Sequence, residues 1–215
     1  MNISKTKKLS TTAMLCTLAY IAAAFGRIPI VLFLKYDPKD VIIVIGGFLF
    51  GPLTSLVITV IVSVVQMFTT STTGILGCLM NIISSCSFAC TASLIYRRKH
   101  TLSGAMLGLF CGLSCQVLIM MLWNYLIAPI YMGYSREAVA DLLLPAFLPF
   151  NLIKGGLNAS LTMLLYKPVV TALRRSHLIE PGSSEKIKIH TGVLLAALFL
   201  IISCAVLILL LYAGT

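Results

Sequence analysis

The stretch Phe147-Leu-Pro-Phe-Asn-Leu-Ile-Lys-Gly-Gly-Leu-Asn158 decides how this chain folds, because it begins a long apolar segment and yet contains a lysine. Asn151, Lys154 and Asn158 are spaced i, i+3 and i+7, so in a helix they share one face. A lysine inside a membrane span costs at least ~2.5–3.5 kcal/mol on insertion scales, so its presence needs a reason. It can pair with an acid, donate to a ligand, or extend outward to the interface. We interpret the shared face as the lining of a cavity for a small polar molecule.

The composition supports a membrane location for this stretch. Of the 215 residues, 59% are hydrophobic and 10% are charged, and the mean hydropathy is +1.03, whereas a soluble domain has about 25% charged residues. The net charge of +10 comes from short basic clusters between apolar runs, as in proteins that orient themselves in a bilayer. We therefore predict an integral membrane protein in contact with the lipid bilayer, and no nucleic-acid partner.

The apolar runs predict an all-α fold with six helices and a further C-terminal span. The six helices are expected at Leu9–Gly26, Val41–Phe50, Leu53–Phe68, Ile75–Tyr96, Ser103–Ile127 and Phe147–Tyr166. Val41–Phe50 covers only half a bilayer core, so it is either a short helix that turns at Gly51-Pro52 or part of one long kinked helix; we favour two helices. Residues 191–213 are apolar without a charge and are long enough for an additional span.

The basic clusters also predict the orientation. Most Lys and Arg residues lie on the side of the N-terminus, whereas Asp37, Asp40, Glu137 and Asp141 lie on the other. The positive-inside rule then predicts a multi-pass cell-membrane protein with a cytoplasmic N-terminus. Arg27–Asp40 is expected to be an outer loop, with Asp37 as the N-cap of the next helix and Pro38 in its first turn.

Several polar and aromatic residues are expected at the same outer level as the start of the sixth span. An asparagine both donates and accepts hydrogen bonds, so Asn124 and Asn151 suit a heterocycle whose edge alternates carbonyl and N–H groups. Trp123 and Tyr36 offer flat faces for stacking. Asn81 is a polar residue of the fourth span, and in the first span Ala19 and Ala23 form a small-xxx-small pair, for which helix docking onto a partner and packing within the bundle are equally open.

The seven cysteines do not predict a metal site. All of them fall in apolar runs, while the three histidines lie in basic connecting segments, so the cysteines are expected to be small packing residues. A membrane enzyme with Ser114 as nucleophile is an alternative. It lacks an intramembrane histidine as base and paired acids for a metal.

Four motifs together carry a resemblance to a known family. They are Lys35-Tyr-Asp-Pro-Lys-Asp40, Gly46-Gly-Phe-Leu-Phe-Gly-Pro52, Trp123-Asn-Tyr-Leu-Ile-Ala-Pro-Ile-Tyr-Met132 and Leu148-Pro-Phe-Asn-Leu-Ile-Lys-Gly155. In this order, over about residues 7–175, the chain resembles the riboflavin-binding S components of energy-coupling factor (ECF) transporters. The resemblance implies a six-helix, substrate-binding domain over residues 1–175. The sequence predicts a basic cytoplasmic linker at 176–190 after it, and the extra helix predicted at 191–213 departs from the family pattern.

The resemblance also implies roles for individual residues. The family's ring-contacting asparagine falls on Asn124, its Asn-x-x-Lys pair falls on Asn151 and Lys154, and its pocket loop falls on Tyr36 to Asp40. The alanine-rich first helix is the family's docking surface, which favours docking for Ala19 and Ala23. The implied partners are a membrane-embedded coupling protein and two cytoplasmic ATPases.

The implied function is riboflavin uptake without catalysis by this chain. No G-x-x-x-x-G-K-[ST] motif is present in the sequence, so ATP hydrolysis is expected from separate subunits. We expect no cofactor, since riboflavin would be the transported ligand. The residues alone leave another vitamin or flavin-like compound open as the substrate.

Overall fold

The computed structural model describes residues 5–26, 28–31, 34–70 and 74–175, together with eight residues between Leu194 and Ile208. Within residues 5–175 it contains seven α-helices, one π-helical turn and one β-hairpin. In chain order these are α1 (Lys5–Phe25), β1 (Ile28–Val31), β2 (Leu34–Tyr36), α2 (Lys39–Phe50), α3 (Pro52–Thr69), α4 (Gly74–Arg98), α5 (Leu102–Met132), α6 (Arg136–Leu142), the π-helical turn (Leu143–Phe147) and α7 (Leu148–Arg175).

Most of these helices are long and apolar enough to cross a membrane. Five such helical segments are found in the described residues: Lys5–Phe25, Pro52–Thr69, Gly74–Arg98, Ser103–Ile130 and Arg136–Leu173. The sixth helix of the bundle, α2, has 12 residues and is about 18 Å long, so it reaches only partway through a hydrocarbon core. The predicted all-α membrane fold with six helices is confirmed.

The break between α2 and α3 decides how these two helices pack. Gly51 has φ +94° and Pro52 begins α3, so the chain reverses at Gly51-Pro52 and the prediction of two helices is confirmed. A Cβ on Gly47 would overlap Ser55 Oγ of α3 and Ser93 Oγ of α4. The two hydroxyls lie 3.2 Å apart, and Ser55 also donates to Ile43 O. Helices α2, α3 and α4 therefore pack closely at Gly47, where only a residue without a side chain fits.

One apolar cluster lies towards each end of the bundle. The first lies towards the basic end, where α4 ends in Arg97 and Arg98, and includes Phe48, Tyr96 and Tyr166. The rings of Phe48 and Tyr96 stack with their centroids 4.3 Å apart. The hairpin end holds Tyr36, Phe147 and other residues at the end of α5 and the start of α7. Polar side chains lie between these clusters, where α2, α4, α5 and α7 face one another.

Two helices run further than the sequence predicts. The sixth span was expected to end at Tyr166, but α7 continues through Pro168 to Arg175, because Val170 and Leu173 of its last turns are buried and this packing outweighs the hydrogen bond that proline removes. Likewise, α5 continues through Pro129 to Met132 and ends at Gly133 with φ +70°.

The segment expected to be a simple outer loop contains the β1–β2 hairpin. Its strands pair antiparallel, with Ile28 opposite Tyr36. The prediction of Asp37 as N-cap is wrong, since Pro38 occupies that position and α2 begins at Lys39. The hairpin thereby delivers Lys39 and Asp40 directly into the bundle, and both are fully buried.

Ala19 and Ala23, for which docking onto a partner is predicted, face the interior of the chain in this structure. Both side chains are 0% exposed, and Ala19 packs in the same core as Ile43, Val44 and Phe48 of α2. Small residues on α1 therefore let α2 and α3 approach within the chain. A partner would have to approach the other face of α1, where Leu18 and Ile21 are exposed.

The predicted linker at 176–190 lies outside the described residues. Of the predicted span at 191–213, the eight described residues are helical, and the crossing of a membrane by this segment stays a prediction.

The contact at Gly47 generates a testable prediction. We expect Gly47→Ala to lower the thermal unfolding midpoint of the detergent-solubilised protein by an amount equivalent to roughly 1–3 kcal/mol, because the added methyl overpacks against Ser55 and Ser93. Gly156→Ala is the matched control, since its Cβ would meet only flexible side-chain atoms at 3.3 and 3.4 Å. Equal midpoints for the two variants would contradict the close packing of α2.

Candidate ligand-binding site

A buried carboxylate is the centre of the polar cluster. Asp40, in the first turn of α2, is 0% exposed. Its Oδ1 accepts a hydrogen bond from Ser85 Oγ of α4 at 2.5 Å, and its Oδ2 accepts one from Asn158 Nδ2 of α7 at 3.1 Å. Asp40 thus joins three helices, and it brings an acid into the bundle although none of the predicted spans contains one.

Lys154 is the positive partner of this carboxylate. Its Nζ lies 3.5 Å from Asp40 Oδ2 and donates to Ser84 Oγ at 3.1 Å. The residue is only 6% exposed, so it does not extend outward to the interface. The sequence allows an intramembrane lysine to pair with an acid, donate to a ligand or extend outward. In this structure Lys154 pairs with an acid.

Asn158 connects the hairpin to α7. Tyr36, at the end of β2, donates from its hydroxyl to Asn158 Oδ1 at 2.9 Å, while the amide nitrogen of Asn158 donates to Asp40. Burial, reinforced by the carboxylates of Asp40 and Asp37, raises the pKa of the Tyr36 phenol, so the hydroxyl stays protonated and donates. Asn158 is therefore a bridging residue of the cluster rather than a simple packing residue.

The structure adds Ser84, Ser85 and Gln116 to the residues predicted from sequence. Gln116 of α5 is fully buried, and its Nε2 donates to the same Ser84 Oγ that Lys154 contacts. Its Oε1 has no hydrogen-bond partner within the described part of the chain. A glutamine in the middle of an apolar span was the signal that could have identified this position.

The remaining predicted site residues lie on the same helices but are not bonded to this cluster. Asn151 is 1% exposed and donates to Phe147 O of its own helix at 2.8 Å. Asn124 is 2% exposed, and Trp123 has a buried Nε1 with no hydrogen-bond partner among the described residues. Asn81 is half-buried on α4, one turn before Ser84. The structure brings together Tyr36, Asp40, Lys154 and Asn158, and does not join the other four to them by hydrogen bonds.

A second buried pair lies beside the first. Lys39 is 0% exposed. Its Nζ donates to Gln66 Oε1 of α3 at 2.5 Å and lies 3.8 Å from Asp37 Oδ2. Successive residues of α2 therefore carry opposite charges to different neighbours, Lys39 towards α3 and Asp40 towards α4 and α7. Each buried charge has an opposite charge within 4 Å, as burial requires.

The alternative chemistries weighed from sequence find little support in these contacts. Ser114, the nucleophile considered for an enzyme, donates back to Phe110 O of its own helix at 3.0 Å. The seven cysteines are unpaired, and no group of three or more His, Cys, Asp or Glu side chains suited to a metal comes together in the described residues.

The cluster can bind a ligand by hydrogen bonding. It offers an ammonium group, a carboxylate, two amides, two serine hydroxyls and a phenol, all within an apolar bundle. A few convergent polar groups in apolar surroundings are typical of small-molecule sites.

Comparisons with known proteins assign the chain to a family. A sequence model of the family "ECF transporter, substrate-specific component" matches residues 7–166. The chain is 26% identical to the riboflavin transporter RibU of Staphylococcus aureus (strain TCH60), covering 81% of this chain and 96% of that protein. It is 27% identical to the riboflavin transporter FmnP of Bacillus subtilis (strain 168), covering 81% of this chain and 99% of that protein.

A solved structure supports the fold. The chain is similar to the S component of a bacterial ECF transporter with a TM-score of 0.68 and 24% sequence identity, covering 80% of this chain and 100% of that chain. At this identity, the likeness establishes the bundle architecture alone.

The Asp40–Lys154 pair generates a stability prediction. We expect Asp40→Ala to destabilise the ligand-free protein by roughly 3 kcal/mol or more, because it leaves a buried ammonium without its counter-charge. Thermal unfolding in detergent measures this. The double variant Asp40→Ala/Lys154→Met should recover much of the lost stability, because it removes the unpaired ammonium as well. Asp141→Ala, at an exposed position, is the matched control. A double variant no more stable than Asp40→Ala would contradict the pairing.

Proposed function

The chain belongs to the family of ECF transporter substrate-specific components, and from this membership we propose that it is the membrane subunit that binds riboflavin for uptake. The proposal is supported by two relatives named as riboflavin transporters, which the chain matches over 96% and 99% of their lengths. The geometric observation that carries it is the convergence of Lys154, Asn158 and Gln116 on one buried polar cluster.

The charge balance of the cluster favours a neutral ligand. Lys154 and Asp40 form a pair without net charge, and riboflavin is itself uncharged. A vitamin with carboxylates, such as folate or pantothenate, or a cation such as thiamine would bring an unbalanced charge into a buried site, which costs several kcal/mol. A balanced site therefore favours riboflavin and other neutral flavin-like compounds over those other vitamins.

We propose that the asparagines and Lys154 bind the polar edge of the isoalloxazine ring. Its carbonyl and N–H groups match the amides of Asn124 and Asn151, which donate and accept. Lys154 would donate to a ring carbonyl while Asp40 keeps its charge balanced. Trp123 and Tyr36 would pack against the ring, and Asn81, Ser84 and Gln116 are hydroxyl- or amide-bearing candidates for the ribityl chain.

The remaining parts of transport are assigned to partners. We propose that a membrane-embedded coupling protein and two cytoplasmic ATPases supply the ATP-driven step, since the sequence lacks the phosphate-binding motif of such enzymes. The basic clusters support a cytoplasmic N-terminus, and in that orientation the hairpin end would face outward, where substrate arrives. Riboflavin is the cargo of this subunit and no cofactor is proposed.

The binding of riboflavin is tested with purified full-length protein. Trp123 is the single tryptophan, so we expect riboflavin to quench its fluorescence. Folate, pantothenate and thiamine in excess should not displace riboflavin. Displacement by one of them with equal or higher affinity would overturn the substrate assignment.

The site is tested with single variants in the same assay. We expect Lys154→Ala to weaken riboflavin binding by about ten- to a hundredfold, because a hydrogen bond from a charged group is worth roughly 1.5–3 kcal/mol. We expect Asn151→Ala to weaken it by about two- to tenfold, because a hydrogen bond from a neutral amide is worth roughly 0.5–1.5 kcal/mol. Ser114→Ala is the matched control, since that hydroxyl bonds only within its own helix. Unchanged affinity in the Asn151→Ala/Lys154→Ala double variant would refute the site.

A further inference from the structure

The C-terminal segment is the one element that the family assignment leaves unexplained. The family model ends at residue 166, and the two relatives and the solved S component match only 80–81% of this chain. The eight described residues between Leu194 and Ile208 are nonetheless helical, and Leu200, Cys204 and Ile208 contact the bundle. These contacts show what the segment covers.

The contacts follow one side of α7. A Cβ on Gly156 would lie 3.3 Å from Cys204 Sγ and 3.4 Å from Leu200 Cδ2, so the segment packs on α7 where that helix has no side chain. Nearer the hairpin end, Cys204 and Ile208 pack against the cluster that contains Tyr36 and Phe147. Gly156 lies only two residues from both Lys154 and Asn158, so this packing takes place directly behind the polar cluster.

The other end of the contact lies against α5. Ala197 is 7% exposed, and with Leu200 it borders an apolar cavity of about 240 Å³. The cavity is lined by these two residues, by α5 and by Gly156, Ser160 and Met163 of α7. The described residues from Ala197 to Ile208 therefore lie in order from Met163 towards the hairpin end, antiparallel to α7.

We propose that the C-terminal segment is a seventh membrane helix that lies in the groove between α5 and α7 and separates the ligand site from the bilayer. It supplies the outer wall of a groove that otherwise presents Gly156 and Ser160 to lipid. It also packs against the apolar cluster that contains Tyr36, the hairpin residue that bonds to Asn158. By holding both α7 and the hairpin, it slows the release of bound ligand.

A designed disulfide tests the position of the segment in native membranes, independently of any ligand. In a disulfide, each sulfur lies roughly 3 Å from the partner's Cβ, as an S–S bond of about 2.05 Å requires. The 3.3 Å between Cys204 Sγ and a Cβ at 156 is close to this value. We therefore expect Gly156→Cys to cross-link to the native Cys204 when copper phenanthroline is added as oxidant.

Protease cleavage between the two cysteines shows whether the disulfide between positions 156 and 204 has formed. Cys204 is the only cysteine after residue 115, so if a specific protease site is placed within residues 176–190, only a bond to Cys204 keeps the two fragments together. Gly156→Cys/Cys204→Ser should separate completely. Leu165→Cys, on an exposed position of the opposite face of α7, should separate as well. Separation of the Gly156→Cys fragments would overturn the proposal, and cross-linking between two chains would assign the groove to a second copy instead.

The effect on ligand release rests on the proposed riboflavin function and is measured separately. We expect Gly156→Phe, which displaces the segment from α7, to release riboflavin about tenfold faster, the change that a loss of roughly 1.4 kcal/mol produces. Leu165→Phe should release it at the wild-type rate. Equal rates for all three proteins would overturn the role in retention. Failure of the wild-type protein to bind riboflavin would refute the proposed function and leave the cross-linking result unaffected.

Discussion

The structure depends on the pairing of Asp40 with Lys154 inside an apolar bundle. Each of these charges alone would be costly in a membrane interior, and together with Ser84, Ser85 and Asn158 they satisfy one another. The pair joins α2 to α7, elements far apart in sequence. Because removal of either partner would leave the other as an unpaired buried charge, this contact constrains the positions of α2 and α7.

The short length of α2 makes this pairing possible. A full-length span would carry its first turn out to the bilayer surface, whereas the 12 residues of α2 leave its N-terminus within the bundle. The β1–β2 hairpin then closes the bundle at that level, and Tyr36 fastens it to Asn158. The second pair, between Lys39 and Asp37, neutralises the other charges that the hairpin brings inside. A cluster built in this way has polar groups that a ligand can use and no unbalanced charge.

The same side of the molecule carries both the family features and the feature that departs from them. Lys154 and Asn158 face the polar cluster, while Gly156 between them faces the C-terminal segment. One helix, α7, therefore connects the site that riboflavin is proposed to occupy with the helix that the matched relatives do not account for.

The membrane character, the six helices, the break at Gly51-Pro52 and the polar face of Asn151, Lys154 and Asn158 could all be predicted from the residues. These follow from hydrophobicity, helical periodicity and glycine–proline chemistry, which are local properties of the chain. The partners of those residues could not be predicted in this way and depend on the folded bundle. It paired Asp40 with an asparagine 118 residues away, added Gln116 to the cluster, turned Ala19 and Ala23 inward, and seated Cys204 behind Gly156. Such choices depend on which helix faces meet, and the packing of the whole bundle decides that.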